Sequence, residues 1–234
     1  MIFLEISLAP VIAIIIYFYW RDKYEKEPLK LLAKAFMWGV FVTIPVILVE
    51  SFICLSIKCV SSFFASIFLK SFLVAGFTEE FAKFIVFVLL IYKNKEFNEP
   101  YDAIIYMVMI SLGFASFENF SYVFGAYVKG GFFGSLTIGF VRAIFSVPAH
   151  TFFAVIMGYF FGLARFCNSK KLETGYIYIG LFFAIIMHGF FDFFIFTKAP
   201  IGLVCMALTL LACGLVALRA VKMHLSSSPF NHKE

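Results

Sequence analysis

Two adjacent glutamates and a lysine interrupt an apolar stretch between residues 72 and 87. Glu79 and Lys83 are four residues apart, so in a helix they stack on one face, whereas Glu80 points about 100° away. Lys83 can therefore neutralise Glu79 and leave Glu80 free, or be shared by both. Ionisable groups at membrane depth cost at least roughly 2.5 to 3.5 kcal/mol and usually mark a functional site. Two carboxylates this close can hold a proton, which suits general acid and base catalysis.

Other apolar stretches contain four more ionisable side chains, namely Glu118, His150, His188 and Asp192. From a helical rise of about 1.5 Å per residue, we expect Glu79, Glu118 and His188 about 12 to 14 Å below the outer ends of their helices. By the same reasoning, His150 lies about 8 Å below the outer surface of the membrane core. Helices that run in opposite directions thus bring carboxylates and imidazoles to one level, which predicts a single site.

Such a set of side chains supports hydrolysis. His150, His188 and Glu118 match the ligand types of an open catalytic zinc site, in which the metal activates water and a spare carboxylate serves as base. Asp192, one turn beyond His188, is placed to orient that imidazole. In a metal-free alternative, one of the paired glutamates activates water directly and the histidines stabilise the oxyanion. The residue types leave both mechanisms open.

The composition predicts where these residues lie. The 234-residue chain is 63% hydrophobic and 14% charged, and its mean hydropathy is +0.98, which is far outside the range of water-soluble domains. We predict an all-α, polytopic transmembrane helix bundle that forms a single domain with about seven spans, six to eight in all. The predicted spans cover residues 3–20, 31–56, 71–92, 101–127, 132–165, 175–196 and 201–221.

Two stretches of the chain are not simple spans. Residues 57–70 are predicted to form a short interfacial helix, because Lys58 and Lys70 bracket an apolar segment. The fifth run is longer than a bilayer needs and contains Pro148, which predicts a kink or a re-entrant part. Residues 1–222 are predicted to form the transmembrane domain, and residues 223–234 a polar, disordered cytoplasmic tail.

The distribution of positive charge predicts the orientation. Thirteen Lys and Arg residues fall in alternate loops on one side and four on the other, and with Lys83 and Arg142 inside spans they make up the 19 in the chain. The richer side should be cytoplasmic, which places the N-terminus outside and the C-terminus inside. Because all but two of the positive charges lie in membrane-flanking loops, we expect the lipid bilayer as a partner and no nucleic acid.

Two other classes of function remain compatible with these residues. Glutamate and histidine side chains at mid-membrane also relay protons, so a proton-coupled carrier is one alternative. Paired broken helices, which are typical of carriers, are not evident in the sequence. A non-catalytic scaffold that binds membrane proteins is another alternative.

Four motifs, in order along the chain, resemble those of the PrsW family of bacterial intramembrane proteases. They are Glu79-Glu80-x-x-Lys83, Gly113-Phe-Ala-x-x-Glu118-Asn119-x-x-Tyr122, the segment from Arg142 to His150, and His188-Gly-x-x-Asp192. Each motif is weak alone, but four in order and within spans are specific. The family is distantly similar to the CAAX prenyl endopeptidases.

The resemblance implies a function. The protein would be a multi-pass protease of the bacterial cell membrane, either a metalloprotease with zinc or a glutamate protease. Glu79, Glu80, Glu118, His150 and His188 would form its catalytic set. The orienting residues would be Lys83, Asn119, Tyr122 and Asp192. Its substrate would be a single-pass membrane protein such as an anti-sigma factor, cut on the extracytoplasmic side in regulated intramembrane proteolysis. A site near the outer surface disfavours a CAAX-type activity, whose substrate approaches from the cytosol.

Overall fold

The computed structural model describes residues 2–231, and every regular element in that range is helical. Two short segments, Leu69–Phe77 and Arg142–Ser146, are π-helical and run directly into the α-helices that follow them. This architecture confirms the all-α class. The α-helices are α1 Ile2–Arg21, α2 Leu29–Ile57, α3 Phe63–Phe68, α4 Thr78–Leu90, α5 Pro100–Val141, α6 Val147–Phe166, α7 Lys170–Phe196 and α8 Pro200–Ser226.

Five helical runs in the described part of the chain are long and apolar enough to cross a membrane. The longest, Pro100–Phe166, has 67 residues. It folds back at Gly131, where a φ of +63° interrupts the helix, as glycine readily allows. The two limbs are antiparallel, because a Cβ atom on Gly134 would lie 2.9 Å from the carbonyl oxygen of Ala126, and one on Gly162 would lie 2.6 Å from that of Pro100.

These limbs correspond to the predicted fourth and fifth spans. A further helical run, residues 63–90, joins α3, the first π-helical segment and α4 without a break. This run carries Lys70, Glu79, Glu80 and Lys83 and is not among the five, yet it is long enough to cross a bilayer. Six apolar limbs and this run make seven passes. The protein is therefore a multi-pass membrane protein, as predicted.

Three details of the prediction are wrong. Residues 57–70 do not form a separate interfacial helix, because α2 extends to Ile57 and α3 begins the third pass. Pro148 does not make the fifth run re-entrant, since the helix continues through it to Phe166, with the π-helical segment Arg142–Ser146 just before it. Helix α8 continues to Ser226, so the tail begins later than residue 223. Residues 232–234 of the predicted tail lie outside the described part.

Helix α5 forms the centre of the bundle. All residues from Tyr101 to Ser116 are buried, which is unusual for a membrane helix and shows that other helices surround this part of α5. Helix α2 approaches it most closely, since Cβ atoms on Gly39 and Gly113 would each lie 2.0 Å from a carbonyl oxygen of the facing helix. Small residues of this kind let membrane helices meet backbone to backbone.

The loops after α1, α4 and α6 meet at one end of the bundle. Tyr106, near the start of α5, donates a hydrogen bond to Glu27 in the first of these loops. Ser228, after α8, donates one to Glu99, and Tyr92 donates one to Glu173 at 2.9 Å. These contacts place the Lys- and Arg-rich loops on a common side, as the alternation of charge predicts.

Candidate active site

Four separate helical elements carry the ionisable residues of the predicted site. Glu79, Glu80 and Lys83 occupy the first turns of α4, where the helix begins from the π-helical segment. The hairpin of α5 and α6 contributes Glu118 and His150, one from each limb, and α7 contributes His188. Except for Glu118, all are at most 5% exposed. The structure therefore brings these side chains together in the interior of the bundle.

Glu80 lies at the centre of the contacts. Its Oε1 accepts a hydrogen bond from Nδ1 of His188 at 2.8 Å and one from Nζ of Lys83 at 2.7 Å. Lys83 also lies 3.3 Å from Oε2 of Glu79. Of the two arrangements that the spacing allowed, Lys83 is thus shared between the glutamates and lies nearer to Glu80. The other oxygen of Glu80, Oε2, is buried without a hydrogen-bond partner.

His150 links this group to Glu118. Its Nδ1 lies 3.1 Å from Nζ of Lys83, and its Nε2 lies 3.0 Å from Oε2 of Glu118. A lysine ammonium has only donors and a carboxylate only acceptors, so Nδ1 of His150 accepts and Nε2 donates. The contacts therefore specify a neutral imidazole with its proton on Nε2. Ser111 holds the backbone here by donating to the carbonyl oxygen of His150 at 2.9 Å.

Arg142 secures the far side of Glu118. Its Nη2 lies 3.1 Å from Oε2 of Glu118, and its Nε donates to Oδ1 of Asn119 at 2.6 Å. The guanidinium also stands 4.3 Å from the ring centre of Tyr122, within the range of a cation–π contact. Asn119 and Tyr122 thus both contact Arg142. The Arg142 side chain is 13% exposed and forms this ion pair inside the bundle.

Asp192 holds a weaker position than its spacing suggested. Its Oδ2 lies 3.6 Å from Nε2 of His188, beyond the usual length of a hydrogen bond. The imidazole is instead oriented by Glu80, and the ring of Phe153 stacks on it with 5.0 Å between the ring centres.

A cavity of about 410 Å³ opens beside these residues. Glu79, Glu118, His150 and His188 line it, whereas the wholly buried Glu80 does not. Asp192 and Arg142 also face it. The site therefore combines an enclosed layer, Glu80 with Lys83, and a layer that a substrate or water molecule can reach.

The residues that could hold a metal ion, here called the metal-binding set, differ from the predicted ligands. The four residues whose ligand atoms lie within 4.8 Å of one another are Glu79, Glu80, His150 and His188. Glu118, which we expected among the ligands, is occupied by Arg142 and His150 instead. Two imidazole nitrogens and two carboxylate oxygens match the ligand types of zinc.

Sequence reasoning missed Glu50. This residue of α2 lines the cavity, and Thr78 donates a hydrogen bond to its Oε1 at 3.1 Å. An acidic residue inside the apolar run 31–56 was the available signal. Lys70 and Phe153 also line the cavity and were not predicted.

The fold and the site together define a polytopic membrane protein with a hydrolase-like cluster of carboxylates and imidazoles inside its helix bundle. Residues 27–218 match the model of the family described as PrsW family intramembrane metalloprotease. The chain belongs to this family, as its four motifs indicated.

Curated relatives support the assignment. A protein named protease PrsW from Geobacillus kaustophilus is 34% identical over 216 residues, which cover 92% of this chain and 89% of the relative. Another from Clostridioides difficile is 36% identical over 81% of this chain and 79% of its own length. A third from Bacillus subtilis is 34% identical over 80% and 79% respectively. No solved structure matches the chain.

Membership of the family distinguishes between the classes of function that the residues alone left open. It identifies the chain as a membrane-embedded peptidase and gives no support to a proton-coupled carrier or a non-catalytic scaffold.

Proposed function

We propose that the protein is an intramembrane endopeptidase that cuts a single-pass membrane protein near its extracytoplasmic side. The observation that carries this proposal is the convergence of Glu79, Glu80, His150 and His188 from three helices beside a cavity. Buried ionisable groups within a membrane bundle cost free energy, so their assembly at one point favours a chemical role over a structural one.

Glu79 is the carboxylate that we assign to water activation. It faces the cavity, whereas Glu80 is enclosed by Lys83 and His188. Attack of a water oxygen on the peptide carbonyl carbon passes a proton to Glu79. The same proton then moves to the departing nitrogen as the carbon–nitrogen bond breaks, which leaves a carboxylic acid and an amine. The imidazole of His188 donates its Nδ1–H to Glu80 and faces the cavity, so in its doubly protonated form its Nε2–H is placed to stabilise the oxyanion.

Glu118 and Arg142 have a supporting role in this proposal. Glu118 accepts a hydrogen bond from the protonated Nε2 of His150 and so keeps that imidazole in one tautomer. Arg142 fixes Glu118 in turn.

Zinc fits the donor set by chemistry. His150 and His188 with carboxylates of Glu79 and Glu80 would hold it. When bound, a zinc ion supplies a Lewis acid that polarises the peptide carbonyl and acidifies water. Under either mechanism, the protein holds the imidazoles in fixed orientations.

The proposed substrate is a membrane-anchored protein of the anti-sigma-factor type, and the proposed location is the bacterial cell membrane. The positive charge of the loops at one end supports a cytoplasmic C-terminus and an extracytoplasmic N-terminus. In this orientation the hairpin turn at Gly131 faces outward. The catalytic set lies on that side of the central segment of α5, which supports cleavage near the outer surface.

Cleavage of a co-expressed reporter tests the proposal. The reporter is a single-pass protein with epitope tags at both ends, built from an anti-sigma factor encoded near this gene. We expect wild-type protein to release an extracytoplasmic fragment, with its end defined by mass spectrometry. Glu79→Ala and His188→Ala should abolish release while the protein still inserts into the membrane.

Glu96→Gln is the matched control. This carboxylate lies in a loop and has only a 3.7 Å contact with the exposed Lys95, so its neutralisation should leave cleavage unchanged. Full cleavage by both site variants would remove the proposed site. A cut on the cytoplasmic side would contradict the orientation.

A further inference from the structure

The amine of Lys83 lies among the ligand atoms of the metal-binding set, which is called the donor set below and consists of Glu79, Glu80, His150 and His188. Its Nζ lies 2.7 Å from Oε1 of Glu80, 3.1 Å from Nδ1 of His150 and 3.3 Å from Oε2 of Glu79. These atoms belong to three of the four residues that form the metal-binding set. Because Lys83 is 0% exposed, its amine is enclosed by the very groups that would bind a metal ion.

The surroundings suit a cation. Two carboxylates supply negative charge, and the three N–H donors of an ammonium match the three acceptor atoms. The ring of Phe114 closes another side, with its centre 4.4 Å from Nζ, which adds a cation–π contact. Lys83 therefore offsets a buried charge that would otherwise be costly.

A divalent ion would need the same atoms. Zinc lies about 2.0 to 2.2 Å from histidine nitrogens and carboxylate oxygens. An ion at this distance from Oε1 of Glu80 and Nδ1 of His150, the atoms that now contact the amine, would have to enter the space that the amine occupies. The ammonium has no lone pair with which to act as a ligand, and its charge repels the ion.

We propose that Lys83 and a divalent metal ion are mutually exclusive occupants of this donor set, so that a metal binds only when the Lys83 side chain withdraws. Lys83 is then a built-in counter-ion that sets the metal affinity of the site. The inference rests on the proposed function, because it concerns the regulation of the same site. Its test nevertheless needs no substrate.

Metal binding to the purified protein in detergent tests this inference. Zinc affinity is measured by competition with a chelating indicator, and bound zinc by elemental mass spectrometry. Lys83→Met removes the charge, and we expect it to bind zinc about tenfold or more tightly than the wild type, a change of the size that neighbours of metal ligands produce. Lys83→Arg keeps the charge and should remain as weak as the wild type.

Lys70→Met is the matched control. Lys70 lines the same cavity but is exposed and lies outside the donor set, so zinc affinity should not change. The zinc gained by Lys83→Met should be lost again in the double variant Lys83→Met/His188→Ala, which locates the ion at this set.

Two results would overturn the inference. One is a wild-type protein that retains one zinc per chain through dialysis against a chelator. The other is a folded Lys83→Met variant that binds zinc no more tightly than the wild type. Gel filtration and thermal unfolding monitor the fold, and Lys83→Gln is a second neutral variant. If neither Lys83→Met nor Lys83→Gln folds, the wild type alone decides. Retention of one zinc per chain through dialysis overturns the inference, and loss of the zinc supports it.

The outcome is independent of the cleavage assay. If Lys83 and zinc exclude each other but the reporter is not cleaved, the proposed function fails and the inference stands. Cleavage by a wild type with firmly bound zinc would do the reverse.

Discussion

Nδ1 of His188 lies 2.8 Å from Oε1 of Glu80, a contact between residues 108 positions apart in the chain. Since Glu80 is wholly buried and His188 faces the cavity, we propose that the carboxylate acts through the imidazole and Lys83. Its charge fixes the direction of both groups, and the motif Glu79-Glu80 therefore has two unlike members.

Neutralising Glu80 should impair catalysis strongly. Glu80→Gln keeps the size of the side chain and an oxygen for the proton of His188, but it removes the charge that holds Lys83. We expect the cleavage rate to fall about 100-fold or more, as for groups that orient acid–base catalysts. Reporter cleavage measures the rate, and Glu96→Gln is the control. A loss below threefold, roughly 0.7 kcal/mol, would show that the charge is dispensable.

His150 and Glu118 should act as one unit. Nε2 of His150 donates to Glu118, so loss of either residue should deprive the site of the same oriented imidazole. His150→Asn and Glu118→Gln are each expected to lower the rate about 100-fold, and the double variant should be little worse than the poorer single one. Cleavage rates of the four proteins complete the cycle. Losses that multiply would mean that the residues act independently.

The contact between α2 and α5 should be sensitive to one methyl group. In Gly113→Ala the new Cβ would lie 2.0 Å from the carbonyl oxygen of Phe36, so the helices must separate. We expect a loss of about 1 to 3 kcal/mol, typical of overpacking, and a lower Tm in detergent.

Gly125→Ala is the control on the same helix. No atom lies within 4 Å of the Cβ that it would add. Because alanine favours helix more than glycine does, its Tm should stay equal or rise slightly. Equal Tm losses in the two variants would contradict the close approach at Gly113.

Stability should fall with rising pH because of Glu27, which lies in the loop between α1 and α2. Burial raises the pKa of Glu27 from 4.5 to about 7. The folded protein therefore binds more protons than the unfolded chain between these pH values. The contribution of Glu27 is fully favourable below about pH 4.5 and is lost as pH rises through 7.

Glu27→Gln removes this titration and keeps an acceptor for the hydroxyl of Tyr106. We expect the Tm of the variant to change less than that of the wild type between pH 5 and pH 8 and to exceed it at pH 8. Thermal unfolding across this range measures both. Parallel pH profiles would show that Glu27 does not titrate there.

The sequence predicted which residues lie close together, but it did not predict how they pair. Apolar run lengths and alternating charge gave the passes, and the equal depth of Glu79, Glu118 and His188 gave the site. Their pairing depends on helix packing, which local spacing does not encode. The spacing of Lys83 thus allowed two partners, and the position of His150 beside it could not be foreseen.

Arg142 and Glu50 show the same limit. Glu50 lies near the end of one apolar run and Arg142 lies inside another, and a long charged side chain in such a run normally reaches towards the headgroups. Arg142 turns inward because the antiparallel limb presents Glu118 to it, and Glu50 does so because Thr78 of α4 faces α2. Both partners come from distant parts of the chain. The π-helical segments likewise leave no periodic signal in so short a stretch.

The π-helical segment Leu69–Phe77 ends where the paired glutamates begin. A π turn accommodates one residue more than an α turn over a similar length. Shortening this segment by a single residue would let it rewind as ordinary α-helix, with Glu79 and Glu80 left in place against α7. The preceding turns, including Lys70 at the cavity mouth, would swing around the axis instead. A single insertion or deletion in this segment can therefore change the residues that line the cavity near Lys70 without moving Glu79 and Glu80.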